Sequence, residues 1–237
     1  MIKKIIKKIL SYFITPDHAL TKNFFICLKN IGFNPTNIID VGAHRGAWTK
    51  TAIKYFPNAH YTLFEPQSDL LKNAFLEKKY SNVIKVYAGV GARTKKFRIT
   101  TNNRRDSYSF ALSKKQCSTN QNQMLVQVFS LDDYISAQNK SMQPNIIKID
   151  AEGWDLNVIK GARKSLIKTE VVLLEAAVMN KYFQNSASKV IRQMNKVNFK
   201  LFDITDLNRS QSTMALWNIE MAFIKKNGVI DKKIQDY

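Results

Sequence analysis

The chain has few of the features that would tie it to an oxidising compartment, a bilayer or a metal. Only two cysteines occur in 237 residues, Cys27 and Cys117. They are far apart, without metal-type spacing, so free thiols in a reducing compartment are the expectation. No apolar run approaches the roughly 18 residues that a membrane-spanning helix requires. Lysines interrupt every early apolar stretch, which argues against a cleavable secretory signal and for a cytoplasmic protein. Acid is also short: 18 Asp and Glu face 37 Lys and Arg, a net charge of +19. That excess points to polyanionic partners such as nucleic acid, anionic lipid or acidic glycan. There is no internal repeat. What is present, 45% hydrophobic and 11% aromatic residues, excludes disorder and suits one large α/β domain with a real core.

The basic residues fall in two patches. Residues 93–115 carry Arg93, Lys95, Lys96, Arg98, Arg104, Arg105, Lys114 and Lys115 against Asp106. Residues 1–14 place Ile2, Ile5, Ile6, Ile9, Leu10 and Phe13 at helical spacing, with Lys3, Lys4, Lys7 and Lys8 between them. Two readings fit such a segment: an amphipathic helix on an anionic membrane surface, or a helix packing its apolar stripe on the domain. Pro16 then opens a second helix that Gly32 ends. Residues 1–32 are therefore expected as an N-terminal helical segment, and 33–237 as the main domain with a basic insertion near 91–123.

The stretch Ile38-Ile39-Asp40-Val41-Gly42-Ala43-His44-Arg45-Gly46 organises that domain. A β-branched strand carries one carboxylate and enters a turn with two glycines, and Ala47 to Ile53 follows as a helix. This is the strand, glycine loop, helix order of a nucleotide-type cofactor site. Glycines let backbone approach a ligand, and the new helix turns free N–H groups toward it. Gly-Ala-His-Arg-Gly is not Gly-x-Gly-x-x-Gly, so no pyrophosphate cradle is implied. Asp40 suits a cationic ligand end, which favours S-adenosylmethionine over NAD.

Further strands are expected at His60–Glu65, Val83–Val90, Asn145–Asp150, Val171–Glu175, Phe199–Ile204 and Trp217–Lys225. Helices are expected at Gln67–Lys78, Trp154–Leu166 and Ala187–Lys196. Within the insertion, Lys96–Thr100 and Leu125–Phe129 read as strands. The fold class is thus α/β: a three-layer, doubly wound sheet of about seven strands, mostly parallel, with an antiparallel pair at one edge because no helix separates the last two runs. Glu65, ending the second strand, is placed to accept both hydroxyls of a ribose. Ile146 to Asp155 ends a buried strand in Asp150-Ala151-Glu152-Gly153, setting two acids at the sheet's carboxyl edge.

These residues, with Phe64-Glu65-Pro66, Ser130-Leu131-Asp132-Asp133 and Leu173-Leu174-Glu175, resemble the FkbM family of S-adenosylmethionine-dependent methyltransferases from about Ile38 to Lys225. The resemblance implies a class I methyltransferase sheet and methyl transfer to an oxygen, commonly on sugars or small natural products, as in polysaccharide biosynthesis. It places Asp40, Gly42, Ala43, His44 and Gly46 at the cofactor's methionine part, Glu65 at its ribose and Asp150 beside the methyl. Asp106-Ser107-Tyr108-Ser109 resembles the family's serine-rich stretch. His44 stands where a small or aliphatic residue is usual.

The sulfonium is already electrophilic, so the protein must align an oxygen and accept its proton. Asp150, Glu152 and His44 are the candidate bases. Asp150 and Glu175, ending neighbouring strands, could instead chelate Mg²⁺, although a loop hydrogen bond explains Glu175 more simply. The partners expected are a sugar, glycan or glycolipid acceptor and, through residues 1–14, the inner membrane face. Two rivals stand beside this reading. The net charge suits a nucleic-acid methyltransferase, but the strand ending at Asp150 lacks the Asn-Pro-Pro-aromatic motif of base-modifying enzymes. A non-catalytic membrane-binding module would have no need of Asp40, Gly42, Gly46, Glu65 and Asp150.

Overall fold

A computed structural model of the chain describes residues 19–72, 80–101, 108–109, 123–138, 142–180 and 184–234. The segment 1–14, His18, the acid and serine at 106–107, and Cys117 lie outside the described residues. A seven-stranded sheet is formed by β1 (Asn37–Val41), β2 (His60–Phe64), β3 (Val83–Val86), β8 (Ile146–Ile149), β9 (Val171–Ala177), β10 (Phe199–Arg209) and β11 (Leu216–Lys225). Its order is β10-β11-β9-β8-β1-β2-β3. The pairs from β9 through β3 are parallel, and β11 runs antiparallel to both β9 and β10. The antiparallel pair does stand at one edge; its reversed member is inserted one strand inward, between β9 and β10.

Helices cover both faces. α1 (Ala19–Asn30), α2 (Ala47–Tyr55), the short α3 (Ser68–Lys72) and α7 (Val229–Ile234) bury Phe24, Phe25, Leu28, Ala52, Ile53, Leu71 and Ile230 against Ile38, Ile146, Leu173 and Ala222. α4 (Leu131–Ala137), α5 (Asp155–Lys160) and α6 (Ala187–Lys196) bury Leu131, Ile135, Val158, Val190 and Met194 against Ile39, Ile147, Val172 and Leu174. The alternation of core partners along each strand is the period-two pattern of a sheet buried on both sides. Although it precedes residue 33, α1 shares the first core, with Phe24, Phe25 and Leu28 fully buried.

Two expected elements come out differently, and one helix is added. The strand expected over Val83–Val90 divides, because Ala88 donates to the Val86 carbonyl and turns the chain. Its second part, β4 (Gly89–Val90), joins a separate four-stranded sheet ordered β4-β7-β5-β6, with β5 at Lys95–Thr101, β6 at Tyr108–Ser109 and β7 at Gln123–Phe129. The helix expected over Trp154–Leu166 stops at Lys160. A Cβ on Gly161 would lie 2.1 Å from the Gly91 carbonyl oxygen, so the chain leaving β4 crosses where the helix would continue. Ser165–Ile167 is a single 3-10 turn. α4, unread in the sequence, begins where the Ser130 hydroxyl accepts the Asp133 N–H at 3.1 Å.

Candidate active site

The carboxyl edge of β1, β2 and β8 gathers the functional residues. Gly42 sits at φ 74° and Gly46 at φ 70°. A Cβ on Gly42 would fall 1.8 Å from the Asp150 carbonyl oxygen, so the β1 loop must press glycine backbone against the end of β8. Gly42 and Ala43 both donate to the Phe64 carbonyl at the tip of β2, at 2.9 and 3.0 Å. His44 is also left-handed, at φ 49°. Its backbone N–H donates to Glu65 Oε2 at 2.9 Å, and the Gln67 N–H donates to Glu65 Oε1 at 2.9 Å. The buried Glu65 carboxylate therefore ties the glycine loop to the end of β2, with lone pairs left for a further donor. Burial first, then the charges of Asp150 and Asp40, pushes its carboxyl up to about 7 against the two N–H donors.

Asp40 is fully buried. The Thr49 hydroxyl of α2 donates to its Oδ2 at 2.5 Å, while its Oδ1 has no hydrogen-bond partner. Burial raises its carboxyl despite the neighbouring Lys148 ammonium. Lys148 lies opposite Asp40 in the β1–β8 register, hence on the same face of the sheet. Only 5% exposed, Lys148 donates from Nζ to Asp150 Oδ2 at 3.0 Å. Burial disfavours its charge, but Asp150, Asp40 and Glu220 together hold it well above the ordinary lysine range. Glu220, on β11, accepts the Thr205 hydroxyl at 2.7 Å and is raised to about 7, mainly by burial.

Beyond β8 the turn Ala151 to Trp154 is drawn around Asp155. Its buried carboxylate accepts the N–H groups of Ala151 and Gly153 and the Asn185 amide, at 3.3, 3.1 and 2.9 Å. Glu152 projects from a left-handed position, φ 50°, half-buried and without a hydrogen-bond partner among the described residues. Burial, with Asp150 and Asp155, pushes Glu152 to about 7. Glu175 accepts the Asn218 amide at 2.9 Å and is raised by burial, Asp150 and Asp155. The hydrogen bond expected from a loop comes instead from a strand, since Asn218 lies on β11. Among the described residues no three His, Cys, Asp or Glu converge as a metal site would need.

Asp150 is thus within electrostatic reach of Asp40, Glu65 and Glu152, and the backbone of Gly42, Ala43 and His44 binds the tips of the strands that carry them. Lys148, Glu220, Thr49 and Asp155 were not singled out from the sequence. A signal existed for Lys148: a lysine interrupting the apolar Ile146-Ile147-Lys148-Ile149 demands buried counter-charge. Trp154 does not border this edge alone; it also packs against Phe97 of β5, ring centroids 5.5 Å apart.

Residues 40–201 match the methyltransferase FkbM domain, well over half of the chain. The chain belongs to the FkbM methyltransferase family. Among solved structures, methyltransferase FkbM from Methylobacillus flagellatus is similar at 18% identity with a TM-score of 0.50, covering 79% of this chain and 43% of that one. This chain therefore spans less than half of that relative. Magnesium protoporphyrin IX methyltransferase from Synechocystis, with bound SAM, is similar at 7% identity and a TM-score of 0.50, covering 86% and 76% of the two chains. At such identities the likeness is one of fold, here the class I methyltransferase sheet. No curated protein matches the sequence.

Proposed function

We propose that the chain is an S-adenosylmethionine-dependent O-methyltransferase acting on a sugar, glycan or glycolipid precursor. The observation that carries the cofactor is the concentration of carboxylates around a glycine loop in a protein of net charge +19. Burial first, with Asp150 adding to it, raises Glu65 and Glu152 to about 7, and what would favour these carboxylates as anions is a nearby cation. A ligand bearing a sulfonium and an ammonium supplies what is missing. The fit extends to detail: among the described residues no side chain caps the start of α2, and Asp40 Oδ1 is buried without a partner. Asp40 and the loop from Gly42 to Gly46 would hold the amino-acid end, and Glu65 would accept from the ribose hydroxyls.

When bound, the cofactor supplies an electrophilic methyl group on sulfur. Lys148 holds Asp150 at the strand tip, where the carboxylate can orient an acceptor hydroxyl. Glu152, raised to about 7 and partly open to solvent, would accept the proton of the acceptor hydroxyl. His44 is the second candidate base. A group near 7 is matched to this task at neutral pH, and turnover should rise through that range as Glu152 ionises.

Calorimetric titration with S-adenosylhomocysteine tests the cofactor, and Glu65→Ala should weaken binding at least tenfold. A tritiated-methyl assay against fractionated cell extract tests the acceptor. Label in RNA in place of glycan would replace the acceptor reading with the nucleic-acid one. Absence of cofactor binding would leave only a non-catalytic module. EDTA should leave turnover intact; inhibition reversed by Mg²⁺ would favour a chelate at Asp150 and Glu175. No helix among the described residues is long and apolar enough to cross a membrane. Peripheral attachment is assigned instead to residues 1–14, whose deletion should abolish sedimentation with anionic liposomes.

A further inference from the structure

α5 stands between two cavities that share Asn157. One, of about 260 Å³, is bordered by Arg93, Lys95, Phe97 and Trp154 on the side of the four-stranded sheet. The other, of about 250 Å³, is bordered by Lys160, Arg163, Gln184, Lys189 and Gln193 on the side of α6. Among the described residues no carboxylate lines either cavity. The acids closest in sequence and packing are already engaged. Asp132 accepts from the Lys164 and Ser165 N–H groups and the Ser165 hydroxyl, Asp133 accepts from the Thr94 hydroxyl, and Asp155 is buried beneath the turn. All five cations are exposed, and among the described residues none is in an ion pair.

The first cavity adds an aromatic wall. Phe97 and Trp154 pack with tilted rings, and the Lys95 ammonium lies 4.8 Å from the Phe97 ring centroid. Each cavity is somewhat below the roughly 300 Å³ of a small-ligand pocket, the room needed for one compact group. Each contains an arginine, whose planar fork matches phosphate oxygens two at a time, with at least one lysine beside it. A single-stranded nucleic acid would call for successive aromatic platforms, and the described walls offer one ring pair. Trp154 stands two residues after Glu152 along the chain, so the turn that bears the proposed base also supplies a wall of this cavity.

Resting on the methyltransferase reading above, we infer that the acceptor carries phosphate-type anions, as a glycosyl phosphate or pyrophosphate does. Its sugar lies against Phe97 and Trp154, and its anions are divided between Arg93 with Lys95 and Lys160 with Arg163 and Lys189.

The test is titration of the full chain with inorganic pyrophosphate at 0.15 M salt. The double variants Arg93→Ala/Lys95→Ala and Lys160→Ala/Arg163→Ala should each weaken binding at least tenfold. Lys50→Ala/Lys54→Ala, an equal loss of charge on α2, should change it less than twofold, and S-adenosylhomocysteine affinity should be the same in all. No binding by the wild type, or equal weakening in the α2 variant, would overturn the inference. So would tighter binding of a uridine 12-mer that the same variants abolish, which would mark a nucleic-acid surface. If pyrophosphate behaves as stated while S-adenosylhomocysteine fails to bind the wild type, this site stands and the methyltransferase reading falls. A free sugar phosphate and vesicles carrying a polyprenyl phosphate then separate a soluble source of the anion from a lipid-linked one.

Discussion

The carboxyl edge of the main sheet and the flanks of α5 carry opposite charge within a few residues of each other. At the edge, Asp40 and Glu65 are almost wholly buried with Lys148 beside them, Glu220 is half-buried, and burial drives the acids up. On the flanks, Arg93, Lys95, Lys160, Arg163 and Lys189 are exposed and form no ion pair among the described residues. Net charge therefore describes the flanks and conceals the edge. Exposed cations cost little to keep, whereas buried carboxylates cost stability and persist because the fold holds them there. The buried set bears the energetic constraint, and the exposed set is free to answer to a ligand.

The largest expected effect in that comparison is at Lys148. Replacing it with Met removes the one cation among Asp40, Asp150 and Glu220, and should cost roughly 3–5 kcal/mol at pH 8, the usual penalty for orphaning buried charge. At pH 5.5 the carboxyls protonate more readily and the deficit should shrink. Equal deficits in urea denaturation at both pH values would show that these groups are not coupled. Gly42→Ala follows, at about 3 kcal/mol, combining a disfavoured left-handed backbone with overlap on the Asp150 carbonyl. Unchanged stability would mean that the loop does not press on β8.

The pH dependence of the wild type should also follow the edge. Glu65, Glu152, Asp155 and Glu220 are raised from the ordinary 3.8–4.5 to about 7, so between these values the folded state holds more protons than the unfolded chain. Stability must then fall as pH rises from about 4.5 to about 7 and level off above it. Thermal unfolding across that range should show the decline, and Glu220→Gln should flatten it. A rise in Tm toward pH 7 would contradict the burial of these acids. A smaller effect is expected for Thr49→Val, which removes the hydroxyl that donates to Asp40 and should cost about 1–2 kcal/mol. By contrast, Lys95→Ala should leave stability within about 0.5 kcal/mol, as exposed surface positions do.

Much of the fold was legible because local chemistry repeats it. Short apolar runs, several rich in β-branched residues, mark the buried strands. α6 falls at Ala187–Lys196 as its spacing indicates, and the glycines at 42 and 46 mark the loop. The shorter α5 and the divided third strand were not legible, since each depends on a segment remote in sequence: Gly91 meets Gly161, and β4 leaves β3 to pair with β7. A helix pattern carries no record of what will cross its end.

The sequence by itself determined which residues form strands and that Asp40, Glu65 and Asp150 stand at or near strand ends, because side-chain period and turn chemistry are properties of neighbours along the chain. Only the tertiary structure decided that β11 inserts between β9 and β10, bringing Glu220 to Lys148, and that Asp155 gathers the turn bearing Glu152. Burial and Coulomb coupling act through space, and strand register, which no single strand encodes, sets those distances.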